Sequence, residues 1–427
     1  TVNVGGDSRA ERFLGTFDLI SRLSLDIDRN YGNKRVLTDF PLEHDGSKWT
    51  GTINKLIVGF DYTITGHAFM CTIFCNDYAI SNFAGKVDSY GSRNGIGSNA
   101  SFNGPNGIVI DSYGNIYITD VFNHLIRKID PFGNVSTVAG QSRISGHLDG
   151  NGTETLFYWP RGITINSSGI LFVAERGNHV IRKIDKLGNV TTIAGQKGVS
   201  GYADGNGNEA LFNRPYGITT DSSDNLYVAD ELNHVIRKID SNGNVETLGI
   251  KENRNYSQFT EETNFIDPTG VVLDSTGNIY VSDEDSSVIY KIDLFDNVSI
   301  FAGQLGIIGA NDGIGTNALF NKPVGLSLDS LGNIYVGDAG NNKIRKIDKL
   351  GNVTTVDNIK DAKVDSFVNT FNAPRGISFD FEGNIYVSNF KGDTISKLQN
   401  VTFKEIFRGS TEHTVSEGTN FLNLRLS

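Results

Sequence analysis

Three things are scarce in this chain of 427 residues: cysteine, positive charge and long apolar runs. No stretch approaches the ~18 consecutive apolar residues that a membrane-spanning helix needs, so the sequence predicts no such helix. Lys and Arg number 38 against 49 Asp and Glu, which gives a formal net charge of −11. This balance disfavours binding to phosphate backbones or anionic lipid, because both depend on clustered cations.

The two cysteines, Cys71 and Cys75, stand four residues apart in the segment C-T-I-F-C. In a straight strand that spacing corresponds to ~13 Å, whereas a disulfide needs Cα atoms within ~7 Å. A turn between them would therefore be required. We interpret them as reduced thiols, with a local disulfide as the open alternative.

Glycine and asparagine are abundant, at 49 and 44 residues, and both tolerate positive φ in tight turns. Hydrophobic residues make up only 38%, yet 26 Phe and 15 Tyr are more aromatics than a disordered chain carries. The composition therefore predicts a folded protein of short elements joined by many turns.

An internal repeat organises most of the chain. The segment from Pro105, P-N-G-I-V-I-D-S-Y-G-N-I-Y-I-T-D, recurs in closely related form at Pro160, Pro215, Pro268, Pro323 and Pro374. The spacings are 55, 55, 53, 55 and 51 residues, and six of the eight prolines in the chain mark repeats. Repeats of this length point to a radial or linear array of one small unit.

Each repeat reads as four strands. In the first copy the β-branched and aromatic runs are Gly107–Asp111, Asn115–Asp120, Leu125–Asp130 and Val135–Gly140. Turn residues such as S-Y-G-N and P-F-G-N separate them, so successive strands should pair antiparallel. Four to eight such meanders stack as a β-propeller. We therefore predict an all-β fold with a six-bladed β-propeller of four antiparallel strands per blade.

This pattern resembles the NHL-repeat β-propeller family. The signature Asn-His-Leu stands literally at Asn123-His124-Leu125, and variants stand at Asn178-His179-Val180 and Asn233-His234-Val235. The resemblance covers roughly residues 79–400. The fourth blade departs from it with Ser286-Ser287-Val288, and the sixth with Gly392-Asp393-Thr394.

The predicted domains are 1–76, 77–407 and 408–427. Residues 1–76 alternate apolar and polar side chains and resemble, over the W-x-G-T-I stretch from Trp49, the immunoglobulin-like and fibronectin-like modules of bacterial surface proteins, so a small β-sandwich is expected there. Residues 77–407 form the propeller. Ala79–Gly85 is expected to complete the sixth blade as its outer strand, with Val401–Phe407 as the rival segment. Residues 408–427 form a tail with one terminal strand, Phe421–Leu426.

Chemistry-bearing residues recur at equivalent repeat positions. His124, His179 and His234 lie on three successive blades and cannot converge on one ion, so we interpret them as turn residues. Two aspartate columns, beginning at Asp111 and Asp120, are expected to accept backbone N–H groups two residues on. We predict no cofactor; calcium at the Asp149, Asp204 and Asp312 loops is the alternative, although each loop offers few of the six to eight oxygens that Ca²⁺ takes.

The residues flanking each proline differ between blades and should meet at the mouth of the channel. They gather cations and aromatics, which favours binding of a peptide, glycan or acidic segment. This predicted site comprises Asn106, Trp159, Arg161, Arg214, Tyr216, Lys322 and Arg375.

No nucleophile elbow, phosphate loop or catalytic carboxylate pair appears in the sequence. We therefore predict a non-enzymatic binding or structural protein that is exported or on the cell surface, including the periplasm, with a protein or glycan partner. The alternative is a metal-dependent lyase or hydrolase acting in the channel, which rests on analogy with other six-bladed propellers. Short alternating strands at Thr1–Val4 and Phe421–Leu426 also suggest an oligomer or filament formed by strand exchange; the alternative is that Phe421–Leu426 folds back onto the amino-terminal domain of its own chain.

Overall fold

A computed structural model describes the backbone of residues 10–18, 23–28, 35–38, 43–44, 49–57, 61–66, 70–87, 89–249, 265–356, 359–361, 371–404 and 413–415. Side chains are described for 80–87, 89–249, 265–356 and 371–399. The chain forms two compact units. The first comprises Thr1–Ala79, Asn358–Lys360 and Asn400–Ser427, and the second Ile80–Asp357 and Asp361–Gln399.

The first unit contains paired antiparallel strands. Its strands are β1 (Ala10–Asp18), β2 (Leu23–Asp28), β3 (Arg35–Thr38), β4 (Glu43–His44), β5 (Trp49–Ile57), β6 (Asp61–Gly66) and the beginning of β7 (Met70–Ala84). Strand β1 pairs with β5, and β2 lies between β3 and β6. The immunoglobulin-like assignment of residues 1–76 stays a prediction.

The second unit is a six-bladed β-propeller. Blade one has β8 (Gly95–Ile96), β9 (Pro105–Ile110), β10 (Ile116–Asp120), β11 (Leu125–Ile129) and β12 (Asn134–Ala139); blade two has β13 (Gly150–Asn151), β14 (Pro160–Ile165), β15 (Leu171–Glu175), β16 (Val180–Ile184) and β17 (Asn189–Ala194). Blade three has β18 (Gly205–Asn206), β19 (Pro215–Thr220), β20 (Leu226–Asp230), β21 (Val235–Ile239) and β22 (Asn244–Leu248); blade four has β23 (Pro268–Leu273), β24 (Ile279–Asp283), β25 (Val288–Ile292) and β26 (Val298–Ala302). Blade five has β27 (Gly313–Ile314), β28 (Pro323–Leu328), β29 (Ile334–Asp338), β30 (Lys343–Ile347) and β31 (Asn352–Thr355). After β32 (Ile359–Asp361), blade six has β33 (Pro374–Phe379), β34 (Ile385–Asn389) and β35 (Thr394–Lys404), and β36 (His413–Val415) follows.

The predicted meander is confirmed, with one addition. The inner strands β9, β14, β19, β23, β28 and β33 each contact the next, and β33 contacts β9, so the ring is closed. In blades one, two, three and five a two-residue strand from the preceding link pairs with the outer strand, as Gly95 does with Val135. Those blades therefore have five strands rather than four.

The sixth blade takes its outer strand from the beginning of the chain. Its strand order is β33, β34, β35, β7, so the predicted role of Ala79–Gly85 is confirmed. The rival segment begins within the end of β35, the third strand of that blade, whose residues from Asn400 onward belong to the first unit. Within the propeller unit Ile80 and Ala84 are buried, and the Phe83 ring packs edge-on against Tyr386 at 5.3 Å between centroids.

Six glycines, one in each P-x-G motif, let the inner strands approach closely. A Cβ on Gly107 would lie 2.5 Å from the carbonyl oxygen of Arg161 in the next blade, and one on Gly376 would lie 2.3 Å from that of Asn106. The equivalent contact is made by Gly162, Gly217, Gly270 and Gly325. Because the sixth contact returns to the first blade, it closes a ring of backbone contacts that only glycine permits.

Apolar clusters join neighbouring blades. One contains Phe172 and Ala174 of blade two, Ile218 and Val228 of blade three, and Phe212 of the link between them. Full burial of a phenylalanine side chain contributes roughly 1.5–3 kcal/mol. Phe102, Phe157, Phe212 and Phe320 are all fully buried at equivalent link positions, so the links are part of the core.

An arginine fully buried in each of four blades holds the link in place. In blade two, Arg182 Nη1 lies 2.6 Å from Glu175 and Nη2 lies 2.7 Å from Asp149 of the link, and the guanidinium stacks over Phe157. Arg127, Arg237 and Arg345 are equivalent. Blade four has Tyr290 at this position and blade six has Ser396.

These arginines correct one expectation about the aspartates. In blades one, three and five the second-column aspartate accepts the buried arginine and a link amide, as Asp120 does from Arg127 at 2.8 Å and from Asn103 N at 2.7 Å, rather than an amide two residues on. The link carboxylates Asp149, Asp204 and Asp312 contact arginine at 2.7 Å, which accounts for their place in the repeat. The first column behaves as predicted: Asp111 Oδ1 accepts Tyr113 N at 2.9 Å.

The NHL histidines join one blade to the next. His124 has a φ of 59° and its Nδ1 accepts the Trp159 backbone N–H at 3.3 Å, and His179 does the same for Arg214 at 3.0 Å. Asn342 and Asp393 replace histidine in blades five and six and accept the Ala373 and Gly104 amides. Burial lowers the pKa of His124 and His179, so these rings are neutral acceptors.

Helical structure in the described part of the chain consists of three-residue 3₁₀ turns. They are Gly97–Asn99, Val121–Asn123, Gly152–Glu154, Gly207–Glu209, Glu231–Asn233, Gly315–Asn317 and Ala339–Asn341. None of these has the length or apolar content to cross a bilayer. Strand β7 is continuous through Cys71 and Cys75 and lacks the turn that a disulfide between them would need.

Candidate functional site

The middle residue of each P-x-G motif lies at the start of an inner strand, where the propeller channel opens. These residues are Asn106, Arg161, Tyr216, Thr269, Val324 and Arg375. Below them the channel is lined by the six glycines and by apolar residues such as Ile108, Ile218 and Leu326, and it encloses about 80 Å³. That space admits water, and the charged and polar side chains that could recognise a larger molecule lie at the mouth.

Tyr216 crosses the mouth of the channel. Its Oη accepts hydrogen bonds from Asn106 Nδ2 at 3.0 Å and from Arg375 Nη1. Because Tyr216 belongs to blade three and Arg375 to the opposite blade six, the side chain spans the ring. It is only 5% exposed and packs against Val324. The phenol therefore plugs the channel and fixes Arg375.

Two arginines stack on aromatic rings at this plug. The Arg161 guanidinium lies 5.2 Å from the Tyr216 ring centroid and 5.3 Å from that of Phe390, while Arg375 lies 4.0 Å from Phe390. Cation–π contacts of this kind contribute ≈ 0.5–2 kcal/mol. The faces of both rings are thus occupied by cations of the protein itself.

Arg161 is buried without a hydrogen-bond partner. It is 9% exposed, and neither Nε nor Nη1 reaches an acceptor in the described part of the chain; Arg375 Nε has none either. Burial lowers the pKa of Arg161, and Arg375 and Arg176 act in the same direction, whereas Tyr216 and Glu231 oppose them. Because arginine stays protonated in proteins, the site holds an uncompensated positive charge.

Acidic residues occupy the adjoining part of the same face. Glu231 in blade three binds Arg176 of blade two through two contacts of 2.6 Å, so it is not free to neutralise Arg161. Beyond it, Asp267, Glu284 and Asp285 cluster at blade four, and Lys322 is the one described cation that approaches Glu284 and Asp285, at 3.7 and 3.5 Å. Burial raises the pKa of Asp267 to about 7, and Glu231, Glu284, Asp285 and Asp283 add to that rise.

Four of the seven predicted site residues meet at the mouth: Asn106, Arg161, Tyr216 and Arg375. The other three directly precede prolines and adopt positive φ, at 53° for Trp159, 59° for Arg214 and 54° for Lys322. They lie on the surrounding rim, where Arg214 and Lys322 are exposed and Trp159 stacks on Tyr158 at 4.6 Å.

Phe390, Arg176 and the acidic residues were not predicted from the sequence. Asp267 directly precedes Pro268, as Trp159 precedes Pro160, so its position in the repeat could have identified it. Phe390 stands in the turn of the sixth blade, where the repeat departs from its signature. Among residues whose side chains are described, no three His, Cys, Asp or Glu are arranged to hold a metal ion.

Comparison with known proteins identifies the repeat. Residues 102–129, 157–184 and 320–347 match the NHL repeat family. The chain is 28% identical to NHL repeat-containing protein 2 of Gallus gallus over 338 residues, 69% of this chain and 46% of that protein. It is also 28% identical to Protein SUPPRESSOR OF QUENCHING 1, chloroplastic, of Arabidopsis thaliana, covering 68% of this chain and 30% of that one. The chain thus carries NHL repeats on a six-bladed propeller and spans about half or less of these relatives.

Solved structures share the fold at low identity. An auxiliary nutrient binding protein from Bacteroides thetaiotaomicron superposes with a TM-score of 0.57 at 16% identity, over 92% of this chain and 95% of that one. A protein of unknown function from the same organism gives 0.56 at 17% identity, over 93% and 99%. A putative gluconolactonase gives 0.50 at 13% identity, over 76% and 93%. At these identities the similarity concerns the fold alone.

Proposed function

We propose that the propeller is a non-enzymatic binding scaffold whose channel mouth captures an anionic group, foremost a carboxylate, of a partner. The observation that carries this proposal is Arg161, 9% exposed with Nε and Nη1 unpartnered beside the second cation Arg375. A buried donor without an acceptor costs ≈ 1–3 kcal/mol, and more when it is charged. A carboxylate is the partner that a guanidinium binds with its strongest hydrogen bonds.

Binding rather than catalysis is supported by the residues of the channel. The six mouth positions hold two arginines, Tyr, Asn, Thr and Val, and glycine and apolar residues lie beneath them. Asn106 and Tyr216 hold the arginine donors in place rather than offering a general base. Turnover of a lactone or peptide that required an added divalent metal would contradict this part of the proposal.

The experiment uses purified full chain on beads and two pools of random heptapeptides, one with free C-terminal carboxylates and one with C-terminal amides. The parent is expected to retain peptides that carry a carboxylate. Arg161→Gln should lose them, because the neutral amide removes the guanidinium that stacks on both Tyr216 and Phe390. Arg143→Gln is the matched control, since Arg143 is an exposed arginine of the link after blade one. Equal retention by Arg161→Gln and the parent would overturn the proposal.

Two further parts of the proposal concern the cellular setting. We propose that the chain is exported or on the cell surface, and that residues 1–76 are an immunoglobulin-like module that displays the propeller. Trp159, Arg214 and Lys322 would then form the rim that surrounds a bound partner, which is a protein or a glycan. Fractionation of the source cells with an antibody against the propeller tests the location, and recovery only with cytoplasmic markers would contradict it.

Self-assembly through the terminal strands is also proposed, although Thr1–Val4 and Phe421–Leu426 lie outside the described residues. The tail that precedes Phe421–Leu426 contains β36, which pairs with β6 of the same chain, as His413 does with Ile64. Deletion of Gly409–Ser427 should lower the mass measured by light scattering if Phe421–Leu426 exchanges between subunits. A parent that is already monomeric would contradict strand exchange.

A further inference from the structure

The face around the channel mouth is divided by charge. Arg375 and Arg161 lie on blades six and two, and Asp267, Glu284 and Asp285 lie on or before blade four. Between them the Arg176–Glu231 pair, closed by two contacts of 2.6 Å, neutralises itself. Positive and negative groups therefore adjoin without cancelling each other.

The acidic part has too little positive charge of its own. Lys322 approaches Glu284 and Asp285 no closer than 3.5 Å and is itself 53% exposed, and the buried Oδ1 of Asp267 has no hydrogen-bond partner. Among the described residues, Glu284 and Asp285 thus share one loosely held lysine, and Asp267 forms no ion pair. Because they do not form a metal-binding group, an extended organic cation such as a lysine or arginine side chain fits them better than an ion.

We propose that the ligand is a peptide segment with both charges: a carboxylate that binds Arg161 and Arg375, and a lysine or arginine a few residues away that binds Asp267, Glu284 and Asp285. This inference rests on the proposed function, since it specifies the ligand of the same site. It also predicts rejection of polyanions, because a second negative group would face the acidic part of the rim.

A peptide fits this face better than an acidic glycan. Sugars commonly stack on exposed aromatic rings, but Tyr216 is only 5% exposed, and Arg161 and Arg375 already stack on Phe390. A chain of repeated uronic acids would also place successive carboxylates beside Asp267 and Glu284. A peptide can carry opposite charges on nearby side chains. It needs no free aromatic ring and places no second carboxylate beside the acidic residues.

The test measures the charge composition of heptapeptides retained from the two random pools by the full chain. Retained peptides should be enriched in Lys or Arg together with a carboxylate, relative to the input. The double variant Asp267→Asn/Glu284→Gln should lose the Lys and Arg enrichment while it keeps the carboxylate. For one retained peptide, its Lys→Gln form should bind the parent about three- to tenfold more weakly and the double variant equally well.

The outcomes separate the two proposals. Retention of peptides rich in carboxylates alone, unchanged by the double variant, would overturn the paired-charge ligand but leave the anion site standing. Binding of oligogalacturonate in preference to any peptide would identify a glycan instead and overturn the inference. Retention insensitive to Arg161→Gln would overturn the proposed function itself. The folding of each variant is checked by thermal denaturation before the pools are applied.

Discussion

The Arg161 guanidinium lies 5.2 Å from the ring of Tyr216, yet its side chain donates to no described acceptor. The contrast with Arg182, two strands further out in blade two, is direct. Arg182 is fully buried and both of its Nη atoms reach carboxylates, at 2.6 and 2.7 Å. Two arginines of one blade therefore differ in their pairing: Arg182 is paired with two carboxylates, and Arg161 is without an acceptor among the described residues.

Replacement of these two arginines by methionine should change stability in opposite directions. Arg161→Met removes an unpaired buried charge and should stabilise the chain by about 1–2 kcal/mol. Arg182→Met leaves Glu175 buried without its cation and should destabilise it by about 3–5 kcal/mol. Urea denaturation followed by fluorescence measures both. Destabilisation by Arg161→Met as large as that by Arg182→Met would show that Arg161 has a structural role.

Loss of a blade arginine should be partly relieved by neutralising its partner. Blade six is the natural precedent, because Asn389 Nδ2 donates to Ser396 Oγ at 2.8 Å where other blades have an acid and an arginine. Arg345→Ser alone strands Asp338 and should cost about 3–5 kcal/mol. Adding Asp338→Asn should recover at least about 1 kcal/mol of that loss. If the losses of unfolding free energy caused by Arg345→Ser and Asp338→Asn simply add in the double variant, the double-mutant cycle contradicts this account.

The carboxyl of Asp267 should make stability fall as pH rises. Its folded pKa of about 7 lies above the unfolded value near 3.9, so the folded state holds the proton more tightly between those values. Stability is therefore highest below about pH 4 and declines until about pH 7, by on the order of 1–2 kcal/mol for this half-buried group. The groups that face it are Glu231, Asp283, Glu284 and Asp285, with Arg176 and Lys322 opposing them.

The measurement compares the parent with Asp267→Asn. Subtraction of the two unfolding free energies at each pH cancels the contributions of other titrating groups. The advantage of Asp267→Asn should be absent at pH 4 and full at pH 8. An advantage that is constant with pH would contradict the assigned cause.

Ring closure should depend on Gly376. An alanine there would place Cβ 2.3 Å from the Asn106 carbonyl oxygen, and the displaced backbone should cost on the order of 3 kcal/mol or more. Gly383→Ala is the control, because it has a φ of 81° but no atom within 4 Å of the added carbon. It should cost only about 1 kcal/mol. Similar melting temperatures for the two variants would contradict the close-approach argument.

The blades could be predicted from the sequence because turn and strand residues recur at a regular spacing, even where individual residues differ between the copies. The sequence also located the outer strand of blade six, since the link from Phe83 to Pro105 copies the other links. It did not predict the fifth, two-residue strand, because Gly95–Ile96 is too short to have a pattern of its own. The buried arginines were overlooked for a related reason: within I-R-K-I-D, Arg127 reads as an exposed charge until its link partner Asn94 is known to lie 2.8 Å away.

The candidate site was predicted in part. Each inner strand begins at its proline, beside the mouth of the channel. The residues that follow the prolines therefore lie at the mouth, as predicted for Asn106, Arg161, Tyr216 and Arg375. Which of them would touch depends on side-chain length across the ring, and Tyr216 and Arg375 meet because both side chains are long. Trp159, Arg214 and Lys322 precede the prolines, and their positive φ places them on the rim.

The central claim is that Arg161 binds the carboxylate of a partner. Isothermal titration of the most strongly retained heptapeptide into the parent, Arg161→Gln and Arg143→Gln measures this directly. The account predicts a dissociation constant at least about tenfold weaker for Arg161→Gln, which corresponds to about 1.4 kcal/mol, and a value within about twofold of the parent for Arg143→Gln, whose change in net charge is the same. Equal weakening in both variants, or none in Arg161→Gln, would contradict it.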